Sequence, residues 1–313
     1  MSGQTFVRLD ADESVFFARE LEVIKTKSYD IKYANLKART LIPVTFATGP
    51  GAQSITYEQY DQVGLAKIIA DYARDFPRAD IKGKEFTSII KSIGSSYGYS
   101  VQEIRSATHA GKPLSTRRAS ACRKAIAIKE NRLAWVGDSS VNLPGWLTNP
   151  NIPNVVLLND GAGSLTTFAS KVTTPDKIIR DLNEIANAVV IQSNEVESPN
   201  TMLMPITQKT LIGSTPRSTT SDKTILAYFM ENNVAGISDC EMVVELAASN
   251  GFVGNDTCIV YDRNPDAMEL EIPQDYEEFA PQPQGMEFEI AAHQRIGGVL
   301  IYYPLSQAMT DDV

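Results

Sequence analysis

The stretch from Gln53 to Gly94 constrains the fold of this chain more than any other. It opens after Thr48-Gly-Pro-Gly51, which cannot continue a helix and marks a boundary. Ser54-Ile-Thr-Tyr-Glu58 then alternates polar and apolar residues, putting Ile55 and Tyr57 on one face of a strand. A second extended run, Glu85 to Gly94, follows the charged, turn-prone segment Asp75 to Lys84. The pattern predicts a long two-stranded excursion with a polar tip, its second strand reaching roughly 30 Å at ~3.3 Å per residue. An isolated hairpin is marginal in water, and this one has little apolar surface of its own. It must lean on something else.

Around the hairpin the chain divides readily. Residues 1–51 read as an N-terminal arm, with a short amphipathic helix near Ser14 to Val23 and polar, mixed sequence after it. Ser100-Val-Gln-Glu103 fits a capping box, in which the serine hydroxyl accepts from the glutamate N–H and the carboxylate reaches back. Gly111-Lys-Pro113 ends that helix, and a longer one is predicted from about Ser115 to Leu133, ~28 Å long at 1.5 Å per residue. On it Ala119, Cys122, Ile126 and Leu133 form an apolar stripe. Arg117, Arg118, Lys124, Lys129 and Arg132 gather on an adjoining arc of roughly 140°. Pro144 to Pro153 carries three prolines and reads as a linker or domain crossing.

Beyond the linker the pattern is mixed. Pro175 to Ile191 is helical, with Thr174 as N-cap; Met202-Leu-Met-Pro205 is a short strand; Ser221 to Asn232 is a helix; Glu241 to Ala248 and Thr257 to Tyr261 are strands. The C-terminal portion is extended throughout. Met268, Leu270 and Ile272 alternate with Glu269 and Glu271, and Met286, Phe288 and Ile290 with Glu287 and Glu289. Gly297-Gly298 leads into Val299 to Tyr303. These are half-buried antiparallel strands with one apolar and one carboxylate face.

Composition narrows the function classes. The 313 residues are 43% hydrophobic and 21% charged, enough for a core in one large domain or two medium ones and too apolar for disorder. No apolar run approaches the ~18 residues of a membrane span, and the N-terminus lacks a basic-then-apolar leader. Three cysteines, Cys122, Cys240 and Cys258, with no C-x-x-C, argue against a disulfide or zinc framework and for a reduced, intracellularly made protein. A net charge of −9 disfavours a free-standing nucleic-acid binder. The distribution is uneven: eight basic residues against two acidic between Val101 and Ala134, and sixteen acidic against Arg263 and Arg295 from Thr224 onward. Mixed solvated faces account for such a spread. The sharper reading is a basic element docking on an acidic surface, within the chain or between copies.

The search for chemistry is mostly negative. His109 lies near a helix end, where the helix dipole explains it, and His293 has no metal ligand at a suitable spacing. There is no G-x-S-x-G elbow, H-E-x-x-H or Walker A pattern. Val155 to Ser164 runs into Gly161-x-Gly163, but a dinucleotide loop wants glycine at 166, where Thr stands. Glu269/Glu271 and Glu287/Glu289 place carboxylates two apart on strands, which a solvated face explains without a ligand. Lys82 and Lys84 read as charged turn residues, and the cysteines as small apolar positions. No catalytic, cofactor or metal residues are assigned. The residues alone describe an α/β protein without a visible active site, whose arm and hairpin seek external contacts.

The layout and the local sequence resemble the major capsid proteins of tailed bacteriophages, with the Hong Kong 97-type shell fold, and within them a poorly characterised capsid family. The matching stretches are Tyr60 to Arg74, Lys82 to Phe86, Ser96 to Arg105, Ala110 to Leu114, Tyr261 to Pro265, Glu271 to Tyr276, Pro281 to Gly285 and Gly297 to Pro304. They run in order over nearly the whole chain, and none is a chemical motif.

The resemblance implies an α+β shell subunit: N-arm 1–51, extended loop 52–95, peripheral domain 96–144 with 265–313, and axial α/β domain 145–264. It implies hexamers and pentamers in an icosahedral shell around double-stranded DNA, found in the virion and assembled in the bacterial cytoplasm. Portal, scaffolding and decoration proteins are the expected partners, with no membrane. Arg74, Arg78, Lys82 and Lys84 would make inter-subunit contacts at the loop tip, and the basic helix arc would face DNA or a neighbour. Lysine–asparagine crosslinking, known in some such shells, would need Lys82 or Lys84; its asparagine and glutamate are not identifiable here. Two rivals remain at this stage: a bacterial nanocompartment shell around a cargo enzyme, and a soluble α/β enzyme with a phosphate at Gly161/Gly163.

Overall fold

In the computed structural model, which describes residues 34–63, 80–111, 116–160, 166–218, 220–311 and 313, Leu36–Val313 forms one compact unit. The arm helix expected near Ser14 to Val23, Arg74 and Arg78, and Gly161 to Gly163 lie outside the described residues. In chain order the elements are α1 (Ala38–Leu41), β1 (Val44–Thr45), β2 (Ser54–Val63), β3 (Asp80–Ile89), β4 (Lys91–Ser100), α2 (Val101–His109) and α3 (Arg117–Trp135). There follow β5 (Gly137–Asp138), β6 (Leu143–Pro144), α4 (Phe168–Lys171), α5 (Pro175–Gln192), β7 (Thr201–Met204), α6 (Ile206–Ser214), α7 (Ile225–Asn232), β8 (Asp239–Met242) and β9 (Thr257–Tyr261). The chain ends with β10 (Met268–Glu271), β11 (Gln274–Glu278), β12 (Gln282–Gln284), β13 (Glu287–Ile296), β14 (Gly298–Ile301) and β15 (Gln307–Asp311).

The hairpin is present, with ten register pairs from Ser54↔Ile89 to Val63↔Asp80. Its root is held by aromatics: Tyr57 stacks on Phe86 at 5.3 Å and meets Tyr302 edge-on at 4.9 Å. The Tyr57 hydroxyl donates to the Ile301 carbonyl (3.3 Å), and Ser88 Oγ to Gly297 O (3.0 Å). The single second strand expected over Glu85 to Gly94 is two strands. At Ile89-Ile90 the chain turns exposed side chains inward, Ile90 N–H donates to Gln53 O (2.9 Å), and β4 departs to pair with β13 along its full length. Lys82 and Lys84 therefore stand within β3, opposite Asp61 and Gln59.

β4, β13, β11 and β12 form one antiparallel sheet on which α3 packs. The capping box at Ser100 is formed, each partner donating one backbone N–H to the other's side chain (3.0 and 3.1 Å). On α3 the stripe holds, with Cys122, Ile126 and Leu133 buried and the basic arc outside. β1, β10 and β14 make a second small sheet. Glu271 is buried against the Gly297 backbone and accepts the Thr48 N–H (3.1 Å), while Glu269 accepts from the Tyr302 hydroxyl. The expected solvated carboxylate face is thus absent from this strand.

Of the two readings of residues 144–153, a packed crossing fits and a loose linker does not. Trp146 is inaccessible, stacks on Trp135 at 5.2 Å, meets Tyr261 edge-on at 4.8 Å and donates its indole N–H to Gln307 Oε1 (2.6 Å). The chain reaches this position through β5 and β6, whose backbones nearly touch. A Cβ on Gly145 would sit 2.2 Å from Val136 C and 2.3 Å from Gly137 N, and Gly137 has φ +72°. Glycine is required at both places.

Past this crossing, β15–β9–β7–β8 forms a mixed sheet covered by α5, α6 and α7, with its own core of Ile178, Leu182, Ile185, Met202, Phe229 and Val260. The predicted strand Glu241 to Ala248 stops at Met242. The predicted helix from Ser221 begins only at Ile225, where the Thr224 hydroxyl caps the Ala227 N–H (3.3 Å).

Gly145→Ala should cost more than ~4 kcal/mol in chemical denaturation, because backbone rather than a movable side chain blocks the Cβ. Gly254→Ala, with nothing within 4 Å, should stay within ~0.5 kcal/mol.

Candidate assembly surface

The basic arc of α3 is partly engaged inside the chain. Arg118 forks onto Glu103 (2.7 and 3.1 Å), donates to Gly98 O (2.6 Å) and lies 5.0 Å over the Tyr99 ring. That guanidinium, chiefly, holds the Glu103 carboxyl at about 2. Lys129 pairs with Asp138 at 3.4 Å, and Arg132 sits 6.0 Å over Phe252. Arg117 and Lys124 are exposed on the same helix. Arg123, outside the predicted arc, lies 4.6 Å over Tyr276. The acids that pair with the arc, Glu103 on α2 and Asp138 on β5, lie outside the acidic C-terminal region, and the arc's contacts with the sheet are to the Gly98 carbonyl and the Tyr99 ring.

α1 is held to α3 and β11 through a charged clamp that sequence reasoning missed. Arg39 on α1 forks onto Glu130 (2.5 and 2.8 Å), which also accepts from Gln294 Nε2 (2.5 Å). Arg39 also reaches Asp275 (2.7 Å), lowering that carboxyl below its ordinary range. Ala38 N–H donates to Asn131 Oδ1 (3.0 Å), and the Tyr261 hydroxyl to Leu41 O (2.7 Å). One signal was available: Glu130 is the only acid of α3 and follows Ile126 by four residues, on the apolar stripe.

In the mixed-sheet unit, Lys171 is buried against Asp181 (2.5 Å), Leu158 O (3.0 Å) and Asp160 (3.4 Å). Arg180 binds Asp160 (2.6 Å) and Asp181 (2.7 Å), and chiefly through Arg180 the Asp160 carboxyl is held at about 2. This network fixes the residue that precedes Gly161.

The remaining candidates gather into no reactive group. His109 is exposed at the end of α2, and His293 stacks on Phe279 at 5.0 Å. All three cysteines are buried, and burial pushes the Cys240 thiol up to about 11. Among the described residues no cluster of three metal-ligating side chains occurs, and no helix is long and apolar enough to cross a membrane.

Exposed aliphatic and aromatic side chains mark what is left uncovered. Tyr60 (61% exposed) and Ile81 (63%) lie on the hairpin face turned away from Tyr57, and Val156, Val196 and Val234 are bare on the mixed-sheet unit. Single exposed residues are ordinary; Tyr60 and Ile81 are two on one hairpin face.

This architecture matches solved shell proteins. It is similar to the capsid of Myoviridae Phage XM1 (TM-score 0.77, 16% identity, 96% of this chain and 99% of that chain). It is also similar to the capsid of a native GTA particle (0.59, 11%, 93% and 94%) and to a virus-like particle from Pyrococcus furiosus (0.55, 14%, 87% and 91%). The fold is the Hong Kong 97-type phage capsid fold. No curated protein sequence matches the chain. The major capsid protein family model matches residues 64–313, and the chain belongs to that family. Family and fold are those of structural capsid proteins rather than enzymes.

Arg39→Ala leaves Glu130, 4% exposed, without its cation. It should cost about 2–4 kcal/mol in denaturant titration, less than the ~3–5 of a wholly buried pair because Arg39 is 40% exposed. Adding Glu130→Gln should restore part of the loss.

Proposed function

We propose that this chain is the head subunit of a tailed phage, assembling as hexamers and pentamers into an icosahedral shell around double-stranded DNA. The observation that carries the reading is the β2–β3 hairpin, ten register pairs long, whose outer face exposes Tyr60 and Ile81 and has no core of its own. A neighbouring subunit would supply that core, and repeated heterologous contacts of one surface with another would close into rings.

Residues 1–51 would be the arm and 52–95 the extended loop, with Lys91 onward joining the sheet of the peripheral domain. That domain would comprise 96–144 and 265–313, and 145–264 would be the axial domain. Arg74, Arg78, Lys82 and Lys84 would contact a neighbour. The exposed rim of α3, Arg117, Lys124 and Arg132, would meet either a neighbour or packaged DNA by backbone electrostatics without base reading. Portal, scaffolding and decoration proteins would join the particle, which would assemble in the host cytoplasm. A nanocompartment shell is the alternative; the phage reading is favoured by the stronger match to the XM1 capsid, 0.77 against 0.55 for the Pyrococcus particle.

Replacing residues 60–83 by Asn-Gly closes the hairpin at the register pair Gln59↔Lys84 and keeps the Tyr57–Phe86 root. The expected product has the circular dichroism of the parent and forms no particles on negative-stain grids. Normal shells from this variant would contradict the role given to the hairpin. Nuclease-protected DNA in purified heads, against a protein cargo, separates the phage from the nanocompartment reading.

A further inference from the structure

The buried lysine of the mixed-sheet unit takes no part in the shell contacts above. Lys171, the last residue of α4, and Asp181 on α5 have side chains 1% and 0% exposed, with Lys171 Nζ 2.5 Å from Asp181 Oδ2. Phe168 on α4 and Ile178 and Leu182 on α5 are inaccessible and belong to the core of the same unit. A nucleophilic nitrogen and a carboxyl carbon are thus held together in a site closed to water.

The two oxygens of Asp181 meet different groups. Oδ2 accepts from the lysine, whereas Oδ1 accepts from Arg180 Nε (3.0 Å) and Nη2 (2.7 Å). Lys171 Nζ is steered from its other sides by the Leu158 carbonyl (3.0 Å) and Asp160 Oδ2 (3.4 Å). An amine aimed at a carboxyl group, with a cation fixed on the oxygen that the product keeps, is what amide formation needs. The charges agree with this. Burying the lysine and Asp181 as ions carries a desolvation cost that a neutral amide would remove. What would remain is Arg180 forked onto Asp160 (3.0 and 2.6 Å), a complete pair with no charge left over between them.

We propose that Lys171 and Asp181 become joined by an amide bond between Nζ and Cγ, formed within one folded chain. The ammonium passes one proton to Oδ2 along their hydrogen bond, and the freed lone pair of Nζ attacks Cγ. Arg180 carries the negative charge that grows on Oδ1. The Cγ–Oδ2 bond then breaks with its electron pair going to Oδ2, a second Nζ proton follows, and Oδ2 leaves as water. Ammonium and carboxylate give amide and water, so the step needs no oxidant and no co-reactant. Groups held in contact react at effective concentrations on the order of 10⁵ M or above, and the closed site keeps water from reversing the reaction. The bond staples α4 to α5, beside the segment that ends at Asp160.

The test is the mass of the full-length wild-type chain, unfolded for the measurement after incubation in the folded state at neutral pH. It should lie one water below the mass of its sequence. Trypsin should leave Lys171 uncut and release one branched peptide that joins it to the peptide beginning at Asp181. Lys171→Met, which lacks the nucleophile, should have its full sequence mass. A wild-type chain at full mass overturns the proposal. So does a loss of one water that persists in Lys171→Met or maps to another pair of residues. The reading is independent of assembly: particles built from full-mass chains contradict the amide alone, and a one-water-lighter chain that never assembles contradicts the shell reading alone.

Discussion

The close approach of Gly137 and Gly145, and the aromatic stack it permits, is the constraint on which the rest of this molecule depends. It lets the chain leave α3, turn within a few residues, and deliver Trp146 onto Trp135 and against Tyr261. Tyr261 ends β9, a central strand of the mixed sheet, and its hydroxyl holds Leu41 at the start of the body. A single aromatic cluster thereby ties together the long helix, the mixed sheet and the end of α1. Close packing of these rings couples the end of α3 to the mixed sheet.

Rigidity at the centre gives meaning to the extended parts. The hairpin root is pinned by Tyr57, Phe86 and Tyr302, and α1 is clamped to α3 through Arg39 and Glu130. On α3, Arg118 forks onto Glu103 and lies over the Tyr99 ring, and Arg123 lies over the Tyr276 ring.

Much of this was legible in the sequence where one local pattern decided the outcome. The capping box at Ser100, the helix from Pro175 and the strand Thr257–Tyr261 follow from short-range chemistry and appear as expected. The hairpin was legible as two extended runs, but its second strand could not be divided at Ile90, because strand β4 is defined by a partner nearly two hundred residues away. The prolines of 144–153 suggested a linker or crossing; only tertiary packing shows Trp146 as core. Glu269 and Glu271 read as solvated because alternation cannot tell a strand covered on one face from one covered on both. The clamp on α1 joins Arg39, Glu130 and Asp275 across more than two hundred residues, and only Glu130's place on the apolar stripe hinted at it.

The measurement that tests the account most directly is the light-scattering mass of the purified wild-type chain, with negative-stain imaging, at low and moderate salt. The account predicts masses of many copies, seen as five- or six-membered rings, closed shells or tubes. A monodisperse monomer at high concentration in every salt tried would contradict it.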